Sequence, residues 1–404
     1  MFYHLNIMTS DYRIVPVYNA KGIIIIIILA IIDMYPSALS AWVYCQPLSV
    51  SISVILTLSL IAFFYLSGIT IPFELSEKIN MGRSKYEIIK YIFAQTLIYV
   101  VVGMCIANIT RVNKDLTGFN SSVWAILLVI SIFLIWNHYP DKENNFFTVS
   151  GLRFFGLLIL VFLVFKFKSG NYENNGSLIA GYWELPGLYG WGFLIASLAW
   201  LLLRNSITGT SIIWLFFIAL NIICALGMTS SLDPTRKYLG ILIDGFIPSA
   251  FIAGVITGIF IRRSPVSFWT KMSLIIAAAG IVLTATGIII GKFFPLTVTF
   301  NNNPAWALAG TGIASLFFIL FFYLHEVRKI SFPARLFESA GTNFFTAYII
   351  IFLVYSIINL SGIDILIYKN SSLALVKTGG SIIFSLLITI LVTAMARAGI
   401  RLKL

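Results

Sequence analysis

Charged side chains are scarce in this sequence. Only 10% of its 404 residues are Asp, Glu, Lys or Arg, whereas 59% are hydrophobic and the mean hydropathy is +0.96. The surface of a soluble domain needs about a quarter of its residues to be charged. The composition therefore excludes an ordinary soluble domain and predicts an integral membrane protein.

Cysteine is also rare, and the short motifs of metal and nucleotide chemistry are missing. The three cysteines, Cys45, Cys105 and Cys224, lie within or beside apolar segments at wide spacing. They suggest neither a disulfide framework nor a metal site. The sequence has no CxxC, HExxH or P-loop spacing, so the enzyme classes that those motifs signal lose support. We expect no bound metal.

Long apolar runs dominate what is present. Each extends over roughly 17 to 25 residues, which is enough to cross a hydrocarbon core of about 30 Å as a helix, and the runs lack the alternation of a transmembrane β-barrel. The predicted fold class is all-α, a polytopic membrane helical bundle of about 11–12 transmembrane helices. The loops are too short for a soluble domain, so residues 1–404 are predicted to form a single integral membrane domain. Asp11 and Arg13 precede the first run and argue against a cleavable signal peptide.

The ends of the spans are predicted from Pro, Gly, Asn and charge clusters. These breaks place transmembrane segments near 22–42, 48–71, 88–108, 119–137, 151–167, 186–203, 207–227, 239–261, 269–290, 304–324, 341–360 and 378–396.

The distribution of Lys and Arg predicts the orientation. With the N-terminus inside, eighteen of these residues fall on the inner side and nine on the outer side, which agrees with the positive-inside rule. Both termini are therefore expected in the cytoplasm. Basic inner loops that face anionic lipid explain the formal net charge of +12. Membrane lipid is the expected partner, and no nucleic acid is needed.

A carboxylate follows one of the longest apolar runs. The stretch KGIIIIIILAIIDMYPSALSAW, residues 21–42, carries Asp33, and at about 1.5 Å per residue this side chain lies roughly 18 Å beyond Lys21, past the midplane toward the outer side. A carboxylate there costs about 2.5 kcal/mol or more unless it faces protein or water. Asp33 is therefore a candidate catalytic group in a pocket. The alternative is a structural role at a broken helix end before Tyr35 and Pro36.

Two further acids are predicted at a similar depth. Asp244 lies in YLGILIDGFIPSAF, where Gly245 and Pro248 predict a locally irregular helix, and Glu184 lies in GYWELPGLYGWGF just ahead of a span. Together with Asp33 they are able to line a polar cavity and to serve as general bases or hydrogen-bond acceptors. As alternatives, Glu184 is a plain loop residue, and Asp244 pairs with a neighbouring hydroxyl.

Aromatic residues cluster around Glu184. Tyr182, Trp183, Tyr189 and Trp191 fit an anchoring belt at the membrane interface. They fit equally well a platform for sugar rings, because aromatic faces pack on the apolar faces of pyranoses. Under the second interpretation, Trp183, Glu184, Tyr189 and Trp191 bind the substrate.

Five segments, in order along nearly the whole chain, resemble one family. GLYGWGFLIASLAWLL resembles the GLIGWAYL signature of the heparan-alpha-glucosaminide N-acetyltransferase-like membrane acyltransferases, particularly bacterial relatives that form a domain of unknown function. FFYLSGITIPFE at 63–74 is similar to the family's FLFxxGxxIPF, and WNHYP at 136–140 to its WNxYP. NPAWALAGTGIASLFFILFFYLHEVR at 303–328 resembles TPSWxLxxxGIxxLxFxxxYWxxDV, and ESAGTNFFTAY at 338–348 resembles PAGTNxLLAY.

The resemblance implies a reaction. Members of this family pass an acetyl group from cytoplasmic acetyl-CoA to a glycan amine or hydroxyl across the membrane, so the expected acyl donor is acetyl-CoA and the expected acceptor is a glycan or a lipid-linked glycan. The resemblance also implies a bacterial inner-membrane location and places Asp33 near the catalytic centre. Trp306, in the NPAW segment, joins the candidate acceptor-binding residues.

Cations and a polar helix end are the candidate CoA-binding residues. Arg83, Lys85, Arg262 and Arg263 on the inner loops are expected to attract the CoA phosphates. Thr342 and Asn343, in ESAGTNFFTAY, are expected to hold the pantetheine or adenine end. Ordinary N-capping is the alternative for this second pair.

The sequence departs from the family where catalysis is expected. The family's catalytic histidine stands in a WLxHA-like context, but this chain has ALSAWVY there, with Ser40, Ala41 and Trp42. The acidic residue at the start of the family's second helix is replaced near Thr57, and the opening DALRG-like motif has become YNAKG at 18–22. His4, His138 and His325 are all predicted on the cytoplasmic side, away from Asp33. Ser37 or Ser40 remains as a hydroxyl participant.

Three hypotheses follow. The protein is an acyltransferase that uses Asp33 as general base, or a catalytically degenerate relative that binds a glycan, lipid or partner, or a secondary transporter with acids near the membrane midplane. The transporter has the least support, because the two halves of the chain show no similarity. A homodimer is one oligomeric state that the sequence leaves open.

Overall fold

The computed structural model describes residues 12–43, 46, 49–139, 146–170, 175–181, 183–296, 303–329, 335–363 and 365–402. These residues form almost only helices, together with one two-residue antiparallel strand pair, β1 at Ser169–Gly170 and β2 at Asn175–Gly176. The predicted all-α fold class is thereby confirmed. The α-helices are α1 Val15–Met34, α2 Ala38–Val43, α3 Val50–Asn80, α4 Lys85–Ala107, α5 Lys114–Thr117, α6 Ser121–Trp136, α7 Phe146–Lys166, α8 Glu184–Leu203, α9 Ile207–Ala225, α10 Asp233–Asp244, α11 Phe246–Arg263, α12 Trp269–Ile290, α13 Pro304–Phe322, α14 Arg335–Thr342, α15 Phe344–Ser361 and α16 Ala374–Arg397.

Short helical turns connect several of these helices. A π-helical turn, Tyr323–Val327, directly continues α13. Turns of 3-10 helix lie at Tyr12–Ile14, Ile109–Arg111, Ser230–Leu232, Val266–Phe268 and Ile367–Asn370.

Eleven helices in the described part of the chain are long and apolar enough to cross a membrane. The protein is thus an integral, multi-pass membrane protein by the length and composition of its helices. The predicted span 119–137 corresponds to α6, which is apolar but has only 16 residues. Each of these helices satisfies its own backbone hydrogen bonds, as a nonpolar environment requires.

Three predicted spans differ most from the structure. Helix α1 begins at Val15 instead of residue 22, so Lys21 lies inside the helix and is 3% exposed. Helix α3 continues to Asn80, nine residues past the predicted end at 71. The span predicted at 239–261 is divided into α10 and α11 at Gly245, whose φ of +68° ends α10. The irregular helix predicted there is confirmed.

The chain divides into two compact units. Unit 1 comprises residues 1–25, 41–96 and 191–341, and unit 2 comprises 26–40, 97–190 and 342–404. The limits of the units fall inside α1, α2, α4, α8 and α14.

Unit 1 is built around α3. This helix packs against α11 and α13, and α12 pairs with α13. Close backbone approach explains the glycines at the α3–α11 crossing, because a Cβ on Gly68 would lie 2.0 Å from the carbonyl oxygen of Phe251, and one on Gly254 would lie 2.0 Å from that of Tyr65. Tyr65 and Thr257 also share a buried hydrogen bond of 2.7 Å across this crossing. Small residues thus let two membrane helices meet at backbone distance.

Unit 2 is built around α6, which packs against α7 and α15. Trp124 of α6 is fully buried and meets the ring of Phe167 at a centroid distance of 5.9 Å. At a second crossing, a Cβ on Gly103 of α4 would lie 2.1 Å from the carbonyl oxygen of Trp183. Most of the outer face of α7 remains exposed, as expected of a helix that contacts lipid.

Candidate functional site

Asp33 lies in unit 2 at the C-terminal end of α1, where the chain turns at Tyr35 and Pro36 into α2. Proline cannot continue the hydrogen-bond ladder of a helix, which explains the end of α1 at this point. Because α1 is Val15–Met34, Asp33 is the penultimate residue of a 20-residue helix, not a residue near the middle of the predicted span 22–42. Its side chain is fully buried.

Three donors surround the Asp33 carboxylate. Tyr355 of α15 donates its hydroxyl to Oδ1, Tyr368 donates to Oδ2 at 2.7 Å, and Lys369 Nζ lies 3.1 Å from Oδ1. Lys369 also lies 3.2 Å from the Tyr355 hydroxyl and over the face of its ring. Burial and the hydrogen bond to Asp33 raise the pKa of Tyr368, so this residue stays a donor at neutral pH.

This arrangement has a chemical consequence for the predicted general base. A general base must contact the proton that it removes, but both oxygens of Asp33 already accept hydrogen bonds and the side chain is closed to solvent. Lys369 or a tyrosine has to withdraw before an acceptor molecule reaches the carboxylate. The ion pair itself is satisfied, which is the condition under which a buried carboxylate is tolerated.

The second acid of unit 2 repeats this pattern. Glu184 is the first residue of α8, not a loop residue, and adopts a positive φ of +47°. Tyr348 of α15 donates its hydroxyl to the Glu184 carboxylate. Tyr348 and Tyr355 are seven residues apart, so they lie on one face of α15 about 10.5 Å apart along the helix. One face of a single helix therefore supplies a hydroxyl to each of two carboxylates.

The aromatic residues near Glu184 serve helix packing. Trp183 and Tyr189 are each only 7% exposed. The Tyr189 ring lies 4.8 Å from that of Tyr99 and 4.9 Å from that of Phe344, centroid to centroid. Neither ring presents an open face to a sugar in this conformation. Trp191 belongs to unit 1 and is partly exposed, and Tyr182 lies outside the described residues.

Asp244, in unit 1, is held in a local ion pair. Arg236 of α10 donates to the Asp244 carboxylate and also, at 3.0 Å, to Asp233. The Cys224 thiol donates to Asp244 at 3.3 Å, and Asn221 donates to the Asp244 carbonyl at 2.8 Å. These contacts join the end of α9 to the break between α10 and α11, and they give Asp244 a structural role beside any chemical one.

Unit 1 carries a hydrogen bond at the position where the resemblance implies a histidine and an acid. The indole Nε1 of Trp42 donates to Thr57 Oγ1 at 2.8 Å, and both residues are buried. Thr57 in turn donates to the carbonyl oxygen of Ser53. Neither side chain titrates in the physiological range. Ser40, in unit 2, donates to the carbonyl oxygen of Ser37 at 2.9 Å, a bond within one turn.

Three cations of unit 1 lie at helix ends: Arg13 precedes α1, Arg262 lies in the last turn of α11, and Lys329 follows the turn after α13. Arg13, before α1, donates to the carbonyl oxygen of Arg262 at 3.0 Å, and Arg262 donates to Asn205 at 3.3 Å. Lys329, after the π-helical turn, lies over the ring of Trp269 at the start of α12. We call Arg13, Arg262 and Lys329 the basic end of unit 1. Arg263 is exposed beside Arg262.

The remaining candidates for binding CoA and the acceptor make local contacts. Arg83, two residues before α4, is exposed and pairs with Glu87 of the first turn of α4 at 3.5 Å. Asn343 donates to Thr342 Oγ1 at 3.1 Å between α14 and α15. Trp306 is 6% exposed and donates to the carbonyl oxygen of Leu296 at 2.8 Å, which ties α13 to the preceding segment.

The glycine of ESAGTN has a packing role. A Cβ on Gly341 would lie 2.0 Å from the carbonyl oxygen of Tyr18, and one on Gly22 would lie 1.9 Å from that of Phe337. The YNAKG and ESAGTN segments thus face each other in unit 1. Their glycines are needed for the close crossing of α1 and α14.

The partners of the buried acids were not predictable from a motif in the sequence. These partners are Tyr348, Tyr355, Tyr368 and Lys369. The available signal in the sequence was the pair Tyr348 and Tyr355, seven residues apart in an apolar span. A phenol hydroxyl in hydrocarbon needs a hydrogen-bond partner, so this pair indicates polar partners nearby. No group of three or more His, Cys, Asp or Glu in the described part of the chain is able to hold a metal ion.

Comparison with known proteins adds no assignment. No protein-family model matches the chain. A search of curated proteins finds no significant match.

Proposed function

We propose that the chain is an acyl-CoA-dependent membrane acyltransferase, which takes an acetyl or other acyl group from a cytoplasmic donor and passes it to a glycan or glycoconjugate on the outer side. The donor docks at the basic end of unit 1. Asp33 and Glu184 of unit 2 act on the acceptor. The resemblance of five ordered segments to the heparan-alpha-glucosaminide N-acetyltransferase-like family motivates the proposal.

One observation carries it. Arg13 and Arg262, from distant parts of the chain, are joined by a hydrogen bond, and Lys329 lies over the ring of Trp269, seven residues after Arg262. Arginine guanidinium groups bind phosphate with charge-assisted hydrogen bonds, often bidentate. A cluster of this kind suits a donor that carries several phosphates, as CoA does. The same cations favour a cytoplasmic location for this end, and with it cytoplasmic termini in a bacterial inner membrane.

The donor step is tested by binding. Arg262→Ala and Arg13→Ala are expected to weaken the affinity of the purified protein for acetyl-CoA about 10- to 100-fold each, because a hydrogen bond to a charged group contributes about 1.5 to 3 kcal/mol. Arg397→Ala is the matched control, since Arg397 is an exposed cation of α16. Equal affinity of all four proteins, or no affinity at all, overturns the donor site.

The transfer step is tested with radiolabelled acetyl-CoA and glycan acceptors. Wild-type protein in detergent is expected to label the acceptor, and Asp33→Asn is expected to abolish labelling. Asp115→Asn, at an exposed position, is the control. The double variant Asp33→Asn/Lys369→Met removes both charges of the ion pair and separates chemistry from folding. Recovery of labelling in the double variant would refute a chemical role for Asp33.

A second candidate function rests on the Trp42–Thr57 hydrogen bond. Trp42 and Thr57, which do not titrate, stand where the resemblance implies a histidine and an acid. In addition, three donors already bind the Asp33 carboxylate. These contacts favour a catalytically degenerate relative that binds a glycan, lipid or partner. Binding of acetyl-CoA without label transfer is the result that selects it. Proton-coupled solute uptake into liposomes, without CoA binding, would instead select a secondary transporter.

A further inference from the structure

A histidine and a buried glutamate form a pair where α13 ends in unit 1. His325 Nδ1 lies 2.9 Å from Glu326 Oε1, and the Glu326 side chain is only 4% exposed. Lys329 Nζ lies 3.5 Å from the other Glu326 oxygen. Because an ionised carboxylate only accepts hydrogen bonds, it fixes the proton of the neutral imidazole on Nδ1 and leaves a lone pair on Nε2.

The backbone at this pair is unusual. Residues Tyr323–Val327 form a π-helical turn, and such turns occur mostly as single insertions at functional positions of α-helices. The two residues of the pair, His325 and Glu326, are adjacent within this turn.

A small cavity adjoins His325. Its volume is about 10 Å³, at the lower limit for a cavity that holds one water molecule, and its lining is Pro16, Asn19, Ile23, Phe321, His325 and Phe337. Asn19 and His325 are its polar lining residues. The other four lining residues are apolar.

Asn19 has an unused acceptor at this cavity. The residue is 4% exposed, and its Oδ1 has no hydrogen-bond partner among the described residues. A buried amide oxygen without a donor costs about 1 to 3 kcal/mol. A ligand that donates a hydrogen bond removes this cost. A water molecule has the required size, donates to Asn19 Oδ1, and has a second proton for the imidazole.

We propose that Asn19, His325 and Glu326 form a water-activating site that hydrolyses the thioester of acyl-CoA. Asn19 positions the water, His325 is the general base, and Glu326 orients the imidazole. The water oxygen forms a bond to the thioester carbonyl carbon while its proton passes to His325 Nε2. The carbon–sulfur bond breaks, and the CoA thiolate leaves and takes up a proton, which yields a carboxylic acid and free CoA.

The location of the site suits this substrate. Asn19 follows Arg13 by six residues on the first helical segment, and Lys329 contacts Glu326 directly. Both cations belong to the basic end of unit 1, at which the proposed function places the anionic donor. The inference therefore rests on the proposed function. It adds a second reaction of the same acyl-CoA donor, in which the acyl group is transferred to water.

The experiment measures release of free CoA thiol from acetyl-CoA by the purified full-length protein in detergent. The expected wild-type result is steady thiol release. His325→Asn is expected to lower kcat at least 100-fold with little change in KM, because general bases contribute about 10² to 10⁴. Asn19→Ala and Glu326→Gln are each expected to lower kcat about tenfold. His138→Asn is the matched control and is expected to retain wild-type activity.

Binding of a thioether analogue of acetyl-CoA, which has no thioester to hydrolyse, separates the two proposals. If the analogue binds but the wild-type protein releases no thiol, or if His325→Asn releases it at the wild-type rate, the water-activating site is refuted while the donor site stands. If the analogue does not bind, both are refuted. If His325→Asn is not recovered as a monodisperse protein, His325→Gln and Asn19→Ala decide the question by the same comparison.

Discussion

Lys369 Nζ lies 3.1 Å from Oδ1 of Asp33, whose side chain is completely closed to solvent. The pair joins the end of α1 to the short helical turn at Ile367–Asn370 within unit 2. Tyr355 and Tyr368 complete the shell of donors. An acid in an apolar segment is thus stabilised by a cation and two hydroxyls. Any reaction at Asp33 therefore requires that Lys369 or one of the two tyrosines first move away.

The first prediction concerns this ion pair. Lys369→Ala is expected to lower the free energy of unfolding by about 3 to 5 kcal/mol, because it leaves a buried carboxylate without its cation. Thermal unfolding in detergent measures the effect. Lys377→Ala, which removes an exposed lysine of α16, is expected to change little.

The double variant Asp33→Asn/Lys369→Met completes the test. Its stability is expected to exceed that of Lys369→Ala, since neither charge remains buried. If Lys369→Ala and Lys377→Ala unfold at the same temperature, the pair does not hold unit 2 together as described.

The second prediction concerns the crossing of α3 and α11. Gly254→Val is expected to destabilise the protein by about 3 kcal/mol or more, at the upper end for overpacked interiors. Its Cβ would lie 2.0 Å from the carbonyl oxygen of Tyr65, and backbone atoms cannot rotate away. The yield of folded protein and its unfolding temperature measure the effect.

Gly379→Ala is the control for that prediction. Gly379 lies in α16, and no heavy atom of a neighbouring residue comes within 4 Å of the place that a Cβ would occupy. Alanine there is expected to be neutral or to stabilise the helix by about 0.5 to 1 kcal/mol. Equal stability of the Gly254→Val and Gly379→Ala proteins would show that the helices do not cross at backbone distance.

The third prediction concerns Trp42 and Thr57. Thr57→Val is expected to cost about 1 to 3 kcal/mol, because the buried indole N–H loses its acceptor. Adding Trp42→Phe removes the orphaned donor and is expected to recover part of the loss. A double-mutant cycle measured by unfolding gives the coupling energy.

Thr286→Val is the control for this cycle, since Thr286 bonds only within its own exposed helix turn. A coupling energy between positions 42 and 57 of zero would contradict the buried hydrogen bond. Acetyl-CoA affinity should be the same in all of these variants, because neither residue belongs to the basic end of unit 1.

The fourth prediction concerns Asp244. Asp244→Asn and Arg236→Gln are expected to lower stability by similar amounts, about 1.5 to 3 kcal/mol, because each breaks the same charged hydrogen bond. Label transfer to a glycan is expected to persist in both variants. Loss of transfer in Asp244→Asn alone would instead assign the carboxylate a role in catalysis.

Most of the architecture was predictable from local pattern. A run of about 20 apolar residues satisfies its backbone in hydrocarbon only as a helix, so the spans and the all-α class followed from the sequence. The break at Gly245 was predictable because glycine is the residue that adopts a positive φ without strain. The start of α1 was not predictable from the sequence. The polar residues Asn19 and Lys21 are buried by packing that no local pattern encodes.

The candidate site was only half visible in the sequence. Asp33 was recognisable from the cost of a carboxylate in an apolar run. Its partners Tyr355 and Lys369 were not, since nothing in their own segments indicates contact with α1.

Local hydropathy is enough to identify a membrane protein of long helices with a few acids in apolar surroundings. The pairing of Lys369 with Asp33, of Tyr348 with Glu184 and of His325 with Glu326 beside Asn19 follows only from the packing of the helices. The physical reason is that hydropathy acts on each segment separately, whereas ion pairs and buried hydrogen bonds depend on which helix faces meet. Which helix faces come into contact is determined by side-chain packing over the whole of each unit.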